Sequence, residues 1–141
     1  MPNILQFTKQ PQPDPLAIHI KEPNVPGYDF SYNTYKKSEY LIGRATNPIS
    51  LKLLQIPLQN LYVSRKHCRI YRNEVGVWMI EDLNSENGTI LGHLQKHFIP
   101  FHKVNRPTPL EPGMAIQIGQ VILTVQSAQA IRRHWWQFRA A

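Results

Sequence analysis

The sequence lacks several features that would mark other classes of protein. Its 141 residues include one cysteine, Cys68, which excludes an internal disulfide and fits a reducing compartment. No run reaches the roughly eighteen apolar residues that a membrane-spanning helix needs. Residues 1–6 lack the basic start and apolar stretch of a secretory signal. We therefore expect a soluble cytoplasmic protein, long enough for one domain with its own core.

Acidic residues are scarce as well. Nine Asp and Glu stand against sixteen Lys and Arg, which gives a net charge of +7. A positive field of this size favours anionic partners, a class that includes nucleic acids, acidic membrane surfaces and phosphopeptides. The charge alone does not choose among them.

Helical periodicity is absent between residues 16 and 126, where short runs rich in β-branched and aromatic residues alternate with turn signals. Residues 54–63, which include the strand-ending Pro57, are interpreted as a linker, and residues 95–109 as a long loop or irregular hairpin. The number and spacing of the short strand-like runs predict an all-β sandwich or barrel. The predicted strands, with tight turns at 73–74 and 119–120, cover residues 16–20, 28–33, 38–42, 51–53, 67–72, 75–82, 89–91, 115–118 and 121–125.

The two ends of the chain differ from this central domain of residues 16–126. Residues 1–15 contain four prolines and three glutamines, a composition typical of a mobile tail. Residues 127–141 are basic and aromatic. Within them Ile131, Trp135 and Phe138 fall at i, i+4 and i+7, which predicts a short helix with one apolar face. That face either packs back onto the sandwich or docks on a partner.

Three short motifs follow predicted strands and carry groups suited to binding anions or holding tight turns. Taken singly, the first is a common strand end, the second a basic turn and the third a hairpin turn. Their joint occurrence, in one order and separated by predicted strands, is poorly explained by chance. The motifs are Gly43-Arg44, Ser64-Arg65-Lys66-His67 and Asn84-Ser85-Glu86-Asn87-Gly88-Thr89.

In this order and spacing the motifs resemble those of the forkhead-associated (FHA) domain family, and the resemblance covers roughly residues 16–126. It implies an eleven-stranded antiparallel β-sandwich with Greek-key-type connections, whose loops at one end hold a phosphothreonine peptide. The chain would then be an adaptor that reads a modification made by a Ser/Thr protein kinase. Its partners would be phosphothreonine-containing proteins, with no cofactor, no metal and no specific nucleic acid.

The resemblance assigns the phosphate to the first two motifs. Arg44 matches the family arginine that reaches the phosphate, and its planar guanidinium can give paired, charge-assisted hydrogen bonds to phosphate oxygens. Ser64 matches the residue whose hydroxyl donates to another phosphate oxygen. Arg65 and Lys66 lie beside Ser64 and are expected to add positive charge at the rim of the phosphate site.

The remaining matched residues are expected to hold the peptide or shape the loops. Asn87 matches the asparagine whose amide grips the peptide backbone next to the phosphothreonine. His67 matches the histidine that braces the second motif from inside, so its implied role is structural. Ser85 is expected to order its loop, and Gly43 and Gly88 to permit close turns.

Glu86 departs from the family pattern, because many members carry a threonine or serine there that contacts phosphate. A carboxylate about 8 Å from a doubly charged phosphate costs on the order of 1 kcal/mol in a watery dielectric. The cost is smaller if Glu86 points outward or pairs with Arg65 or Lys66. Glu86 therefore bears on affinity more than on the fold.

No catalytic arrangement is apparent, and we expect a binding module rather than an enzyme. His93, His97 and His102 are close in sequence but lack the spacing of a zinc site, so a solvated loop is the better interpretation. His67 and Cys68 are neighbours on a strand and face opposite ways, which argues against a catalytic pair.

Two other functions stay open at this point. The first is a phosphate-independent scaffold that docks partners through its loops and the aromatic C-terminal segment; Glu86 and the long loops favour it. The second is non-specific nucleic-acid binding, which would depend steeply on salt. The basic residues concentrate at the phosphate motifs, which favours phosphothreonine recognition over both.

Overall fold

The computed structural model describes residues 15–22, 29–34, 38–44, 54–98 and 100–128. All the elements assigned within these residues are β-strands. In chain order they are β1 (Leu16–Lys21), β2 (Asp29–Asn33), β3 (Glu39–Arg44), β4 (Leu54–Leu58), β5 (Cys68–Arg72), β6 (Trp78–Asp82), β7 (Thr89–His93), β8 (His102–Lys103), β9 (Thr108–Pro109), β10 (Met114–Ile118) and β11 (Val121–Ser127).

The strands form two sheets. One has six strands in the order β2-β1-β11-β10-β7-β8, and the other has five in the order β4-β3-β5-β6-β9. The predicted all-β, eleven-stranded sandwich is confirmed. One neighbouring pair departs from the antiparallel pattern, because β3 and β4 run parallel.

Among the described residues one core fills the space between the sheets, and inward-facing side chains of both sheets build it. In β1 the side chains of Leu16, Ile18 and Ile20 are buried, while Lys21 is exposed. Fully burying a side chain of this size contributes about 1.5–3 kcal/mol, so the core is the main source of stability. Both sheets contribute to one buried cluster, which includes Ile18, Ile20, Ile42, Ile56, Ile70, Ile80, Leu91, Ile116, Ile118 and Leu123.

The interpretation of residues 54–63 as a linker is wrong for its first half. Residues Leu54–Leu58 form β4, and Ile56 pairs with Ile42 of β3. Pro57 lies inside this strand instead of ending it. It is tolerated because β4 is at the edge of its sheet, where a missing N–H breaks no ladder bond on the open side. The predicted strand at residues 51–53 lies outside the described residues.

The two predicted hairpins form, with one change of boundary. The β10–β11 turn has two residues, and Gly119 adopts the positive φ of 57° that it requires. The β5–β6 turn is longer than predicted, so the second strand of this hairpin begins at Trp78 and not at residue 75. The Oδ1 of Asn73 accepts hydrogen bonds from the backbone N–H groups of Val75 and Val77, which holds those residues in the turn.

Residues 95–98 and 100–109 belong to a connection between the two sheets. His102 and Lys103 pair with β7 in the six-stranded sheet, whereas Thr108 and Pro109 pair with β6 in the five-stranded sheet. The segment thus lies across one side of the sandwich. Its two short strands pair with different sheets, so it is not the irregular hairpin that its composition also allowed.

The expectations for the chain ends fall mostly outside the described residues. This holds for the tail, of which Pro15 alone is described, and for the C-terminal segment with Ile131, Trp135 and Phe138. The last described residue, Ala128, donates its N–H to the carbonyl of Pro15 at 3.1 Å. Over the described ranges no helix has the length and hydropathy needed to cross a membrane.

Candidate functional site

The three sequence motifs meet at one end of the sandwich. Strand register pairs Ile42 near the end of β3 with Cys68 at the start of β5, and Cys68 with Asp82 at the end of β6. Strand β4, which runs parallel to β3, also ends at this end of the sandwich, since Leu58 pairs with Arg44. The loops that follow these strand ends are therefore neighbours, although they are far apart in sequence.

Gly43 lets the first motif lie directly against the second. A Cβ at this position would be 1.9 Å from the carbonyl oxygen of Arg65 and 3.0 Å from that of Ser64. Only glycine permits so close an approach of two backbones. The N–H of Arg44 then donates to the carbonyl of Ser64 at 3.0 Å, which places the half-buried Arg44 beside the loop of the second motif.

His67 joins the second motif to the third. Its side chain is buried, and its Nδ1 accepts the N–H of Ser64 at 3.0 Å. Nε2 lies 2.8 Å from the carbonyl oxygen of Gly88 and must donate to it. This pair of bonds requires the neutral ring with the proton on Nε2, because an Nδ1 proton would face the N–H of Ser64. The ring thus holds two loops at a fixed separation.

Direct contacts between loop residues complete the junction. The hydroxyl oxygen of Ser64 accepts the N–H of Glu86 at 3.0 Å, which leaves the hydroxyl proton for another acceptor. The exposed Asn87 donates from Nδ2 to the carbonyl of Tyr62 at 2.8 Å. Its second Nδ2 proton and its Oδ1 are left for hydrogen bonds to a ligand. Tyr62 lies outside the three motifs, so the sequence analysis did not place it at the site.

The loop of the third motif is organised by Asp82. One carboxylate oxygen accepts the hydroxyls of Ser85 and Thr89 at 2.5 and 2.6 Å, and the other accepts the N–H of Ser85. Partial burial raises the pKa of Asp82, but these hydrogen bonds outweigh burial and hold that pKa below its usual value. Ser85 also accepts the N–H of Gly88, whose φ is +82°. The expected ordering by Ser85 thus acts through Asp82.

A model of the FHA domain family matches residues 40–119, which is more than half of the chain. The chain belongs to the FHA domain family. The matched region contains all three motifs and the contacts that join them.

Solved structures of FHA domains share this fold. The FHA domain of the Chlamydia trachomatis protein CT664 superposes with a TM-score of 0.59 at 17% identity, covering 80% of this chain and 97% of that one. An Arabidopsis thaliana FHA domain gives 0.63 at 21% identity, covering 84% and 91%. A domain from an analysis of phosphothreonine-dependent FHA interactions gives 0.52 at 23% identity, covering 78% and 95%. No curated protein matches the chain in a sequence comparison.

The charged residues of this FHA domain's loops are exposed. Arg65 and Lys66 lie in the turn before His67, and Glu86 lies across the junction from them. Among the residues that the structure describes, Glu86 forms no ion pair with Arg65, Lys66 or any other cation. The pairing that would offset its charge is therefore not observed.

A second set of contacts supports the loop between β4 and β5, and no sequence motif predicted it. Asn60 donates from Nδ2 to Gln120 of the β10–β11 turn, and its Oδ1 accepts the N–H of Tyr62, each at 3.0 Å. The buried Glu22 accepts the N–H of Gln59 at 2.7 Å. These polar side chains tie the loop to two neighbouring elements, so the carbonyl that receives Asn87 is held in place.

Lys103 is another residue at the site that no sequence motif indicated. Its side chain crosses Gly88: a Cβ on Gly88 would lie 3.0 Å from Cε and 3.7 Å from Nζ of Lys103. Lys103 belongs to β8, fifteen positions along the chain from Gly88. The pairing of β8 with β7 brings the two together.

The other titratable groups are arranged as structural residues. Burial, and then the charge of Asp82, raises the pKa of the Cys68 thiol to about 12, so the thiol is not reactive at neutral pH. His93 is buried and accepts two backbone N–H groups through Nδ1, whereas His97 and His102 are exposed. Within the described ranges no group of three or more potential ligands could hold a metal ion.

Proposed function

We propose that this FHA domain binds phosphothreonine peptides at the junction of its three motif loops and so acts as an adaptor. The observation that carries the proposal is the bridge made by His67. It joins the loops of Ser64 and Gly88, while Gly43 brings Arg44 against the same loop. A close approach of two backbones and a buried polar bridge both serve to fix the relative positions of exposed polar groups.

In this proposal Arg44 and Ser64 hold the phosphate. Arg44 supplies the charged, forked donor, and Ser64 supplies a hydroxyl proton that its contact with Glu86 leaves available. Arg65 and Lys66 add a local positive field. The whole chain carries +7, which speeds the approach of an anionic ligand.

Asn87 would hold the peptide backbone through the amide groups that its bond to Tyr62 leaves over. That bond fixes the orientation of the side chain before any ligand arrives, so less entropy is lost on binding. The ligand is a segment of a protein phosphorylated by a Ser/Thr kinase. The domain itself contributes binding and no covalent chemistry.

The test is titration of the protein against an oriented phosphothreonine peptide library, with phosphoserine and unphosphorylated libraries as controls. We expect phosphothreonine-selective binding at micromolar strength. Arg44→Ala should weaken it at least about tenfold, the effect of losing about 1.5–3 kcal/mol from a charged hydrogen bond. Lys96→Ala is the matched control, because Lys96 is an exposed cation in the loop after β7, at the opposite end of the sandwich. Equal binding by the Arg44 and Lys96 variants would overturn these roles.

A phosphate-independent scaffold is the second candidate, and an apolar surface at the opposite end favours it. Leu94, Phe98 and Phe101 in the β7–β8 loop are 52%, 80% and 49% exposed. Exposed aromatic side chains of this kind often anchor protein contacts. If partner binding survives phosphatase treatment but fails for Phe98→Ser or on removal of residues 129–141, the scaffold function is correct and phosphothreonine reading is not the main activity.

A further inference from the structure

Lys103 is an exposed cation placed next to the residue proposed to hold the peptide. Its aliphatic stem crosses Gly88, which follows Asn87 directly. Among the described residues its ammonium makes no ion pair with a carboxylate. The nearest acid along the third motif is Glu86, and residues 94–110 contain no Asp or Glu. The ammonium is therefore available to a ligand carboxylate.

The backbone position of Lys103 is set by strand pairing. Its backbone pairs with Ile90 of β7, and the next residue, Val104, is buried and donates its N–H to Thr89 at 2.8 Å. Arg65 and Lys66, in contrast, lie in a turn. A cation on a paired strand beside a buried anchor is held in a narrower range of positions, which is what selectivity for one ligand position requires.

We propose that Lys103 selects an acidic side chain in the ligand, at a position close to the backbone held by Asn87. The inference rests on the proposed phosphothreonine function, because it takes the peptide to cross Asn87. A peptide held there passes within a side chain's length of the Lys103 ammonium. A ligand Asp or Glu on that side then meets a positive charge, whereas a Lys or Arg is repelled.

The expected effect is modest, since the ammonium is exposed. A solvated ion pair of this type changes affinity by about two- to fivefold, and the change is larger at low ionic strength. Selection of this size is readily resolved when peptides that differ at one position are compared directly.

The test uses a positional-scanning library with a fixed phosphothreonine, bound to the full chain and to its variants. The parent should favour Asp or Glu at one position. Lys103→Ala should lose that preference while binding alanine-substituted peptides as before, and Lys103→Glu should reverse it toward Lys or Arg. Lys96→Ala, the same substitution at the other end of the sandwich, should keep the parent's preference.

The outcomes separate this inference from the proposed function. Selective phosphothreonine binding with no acidic preference, or with one that Lys103→Ala leaves unchanged, overturns the role of Lys103 alone. An equal loss of affinity for every phosphopeptide in Lys103→Ala also overturns it, because the ammonium would then act on the phosphate. Absence of phosphothreonine-dependent binding in the folded parent overturns both.

Discussion

Replacing His67 by alanine removes the side chain that joins two of the site's loops. The substitution deletes hydrogen bonds of 3.0 Å to the N–H of Ser64 and 2.8 Å to the carbonyl of Gly88. A buried polar group left without a partner costs about 1–3 kcal/mol, and the cavity left by a fully buried ring adds to this. We therefore expect the free energy of unfolding to fall by about 3–5 kcal/mol.

Urea unfolding of His67→Ala measures this loss, and thermal unfolding should show a midpoint lower by roughly 10 °C for a domain of this size. Glutamine can accept and donate much as the neutral ring does, so His67→Gln should lose less. His97→Ala is the control, since His97 is exposed and its loss should change stability by no more than about 0.5 kcal/mol. If the free energy of unfolding of His67→Ala is within about 1 kcal/mol of the parent's, the hydrogen bonds of His67 do not hold the two loops as described.

Three further substitutions test other parts of the site. Gly43→Ala puts a Cβ 1.9 Å from the carbonyl oxygen of Arg65, and should cost at least about 2 kcal/mol by urea unfolding; parent-like stability would contradict the close approach. Burial raises the pKa of Asp82, but hydrogen bonds from Ser85 and Thr89 outweigh it and hold the folded pKa below the usual value for an aspartate. The carboxylate therefore adds stability at neutral pH that is lost as pH falls through the folded pKa; Asp82→Asn should flatten this acid dependence in urea unfolding, and an unchanged dependence would refute the assignment. Glu86→Gln should raise phosphothreonine-peptide affinity by up to about fivefold in a titration at low salt, by removing about 1 kcal/mol of repulsion. Equal affinity there would place Glu86 away from the phosphate.

Local sequence signals predicted most of the fold, because most strands here are short amphipathic runs bounded by turn residues. The exception at residues 54–58 has a physical cause. Pro57 is a strand breaker by local rules, and the strand Leu54–Leu58 exists because its pairing with β3 and the burial of Ile56 outweigh that local preference. Such pairing depends on residues distant in sequence and leaves no local signal.

The same distinction applies to the candidate site. The motif residues could be named in advance, because glycine, basic residues and asparagine in this order are recognisable in the chain itself. Tyr62, Asn60 and Lys103 could not, since the contacts that bring each of them to the site form only in the folded chain. Asp82 had a weaker signal, as an aspartate three residues before Ser85 is a common way to close a turn.

Amide chemical-shift mapping with a phosphothreonine peptide shows directly whether the phosphate binds at the three motif loops. A peptide selected from the library is added to isotopically labelled protein, followed by its unphosphorylated form. We predict phosphate-dependent shifts of the Arg44, Ser64 and Asn87 amides, with little change in residues 94–98. Shifts confined to residues 94–98, or shifts that are the same without the phosphate, would contradict this prediction.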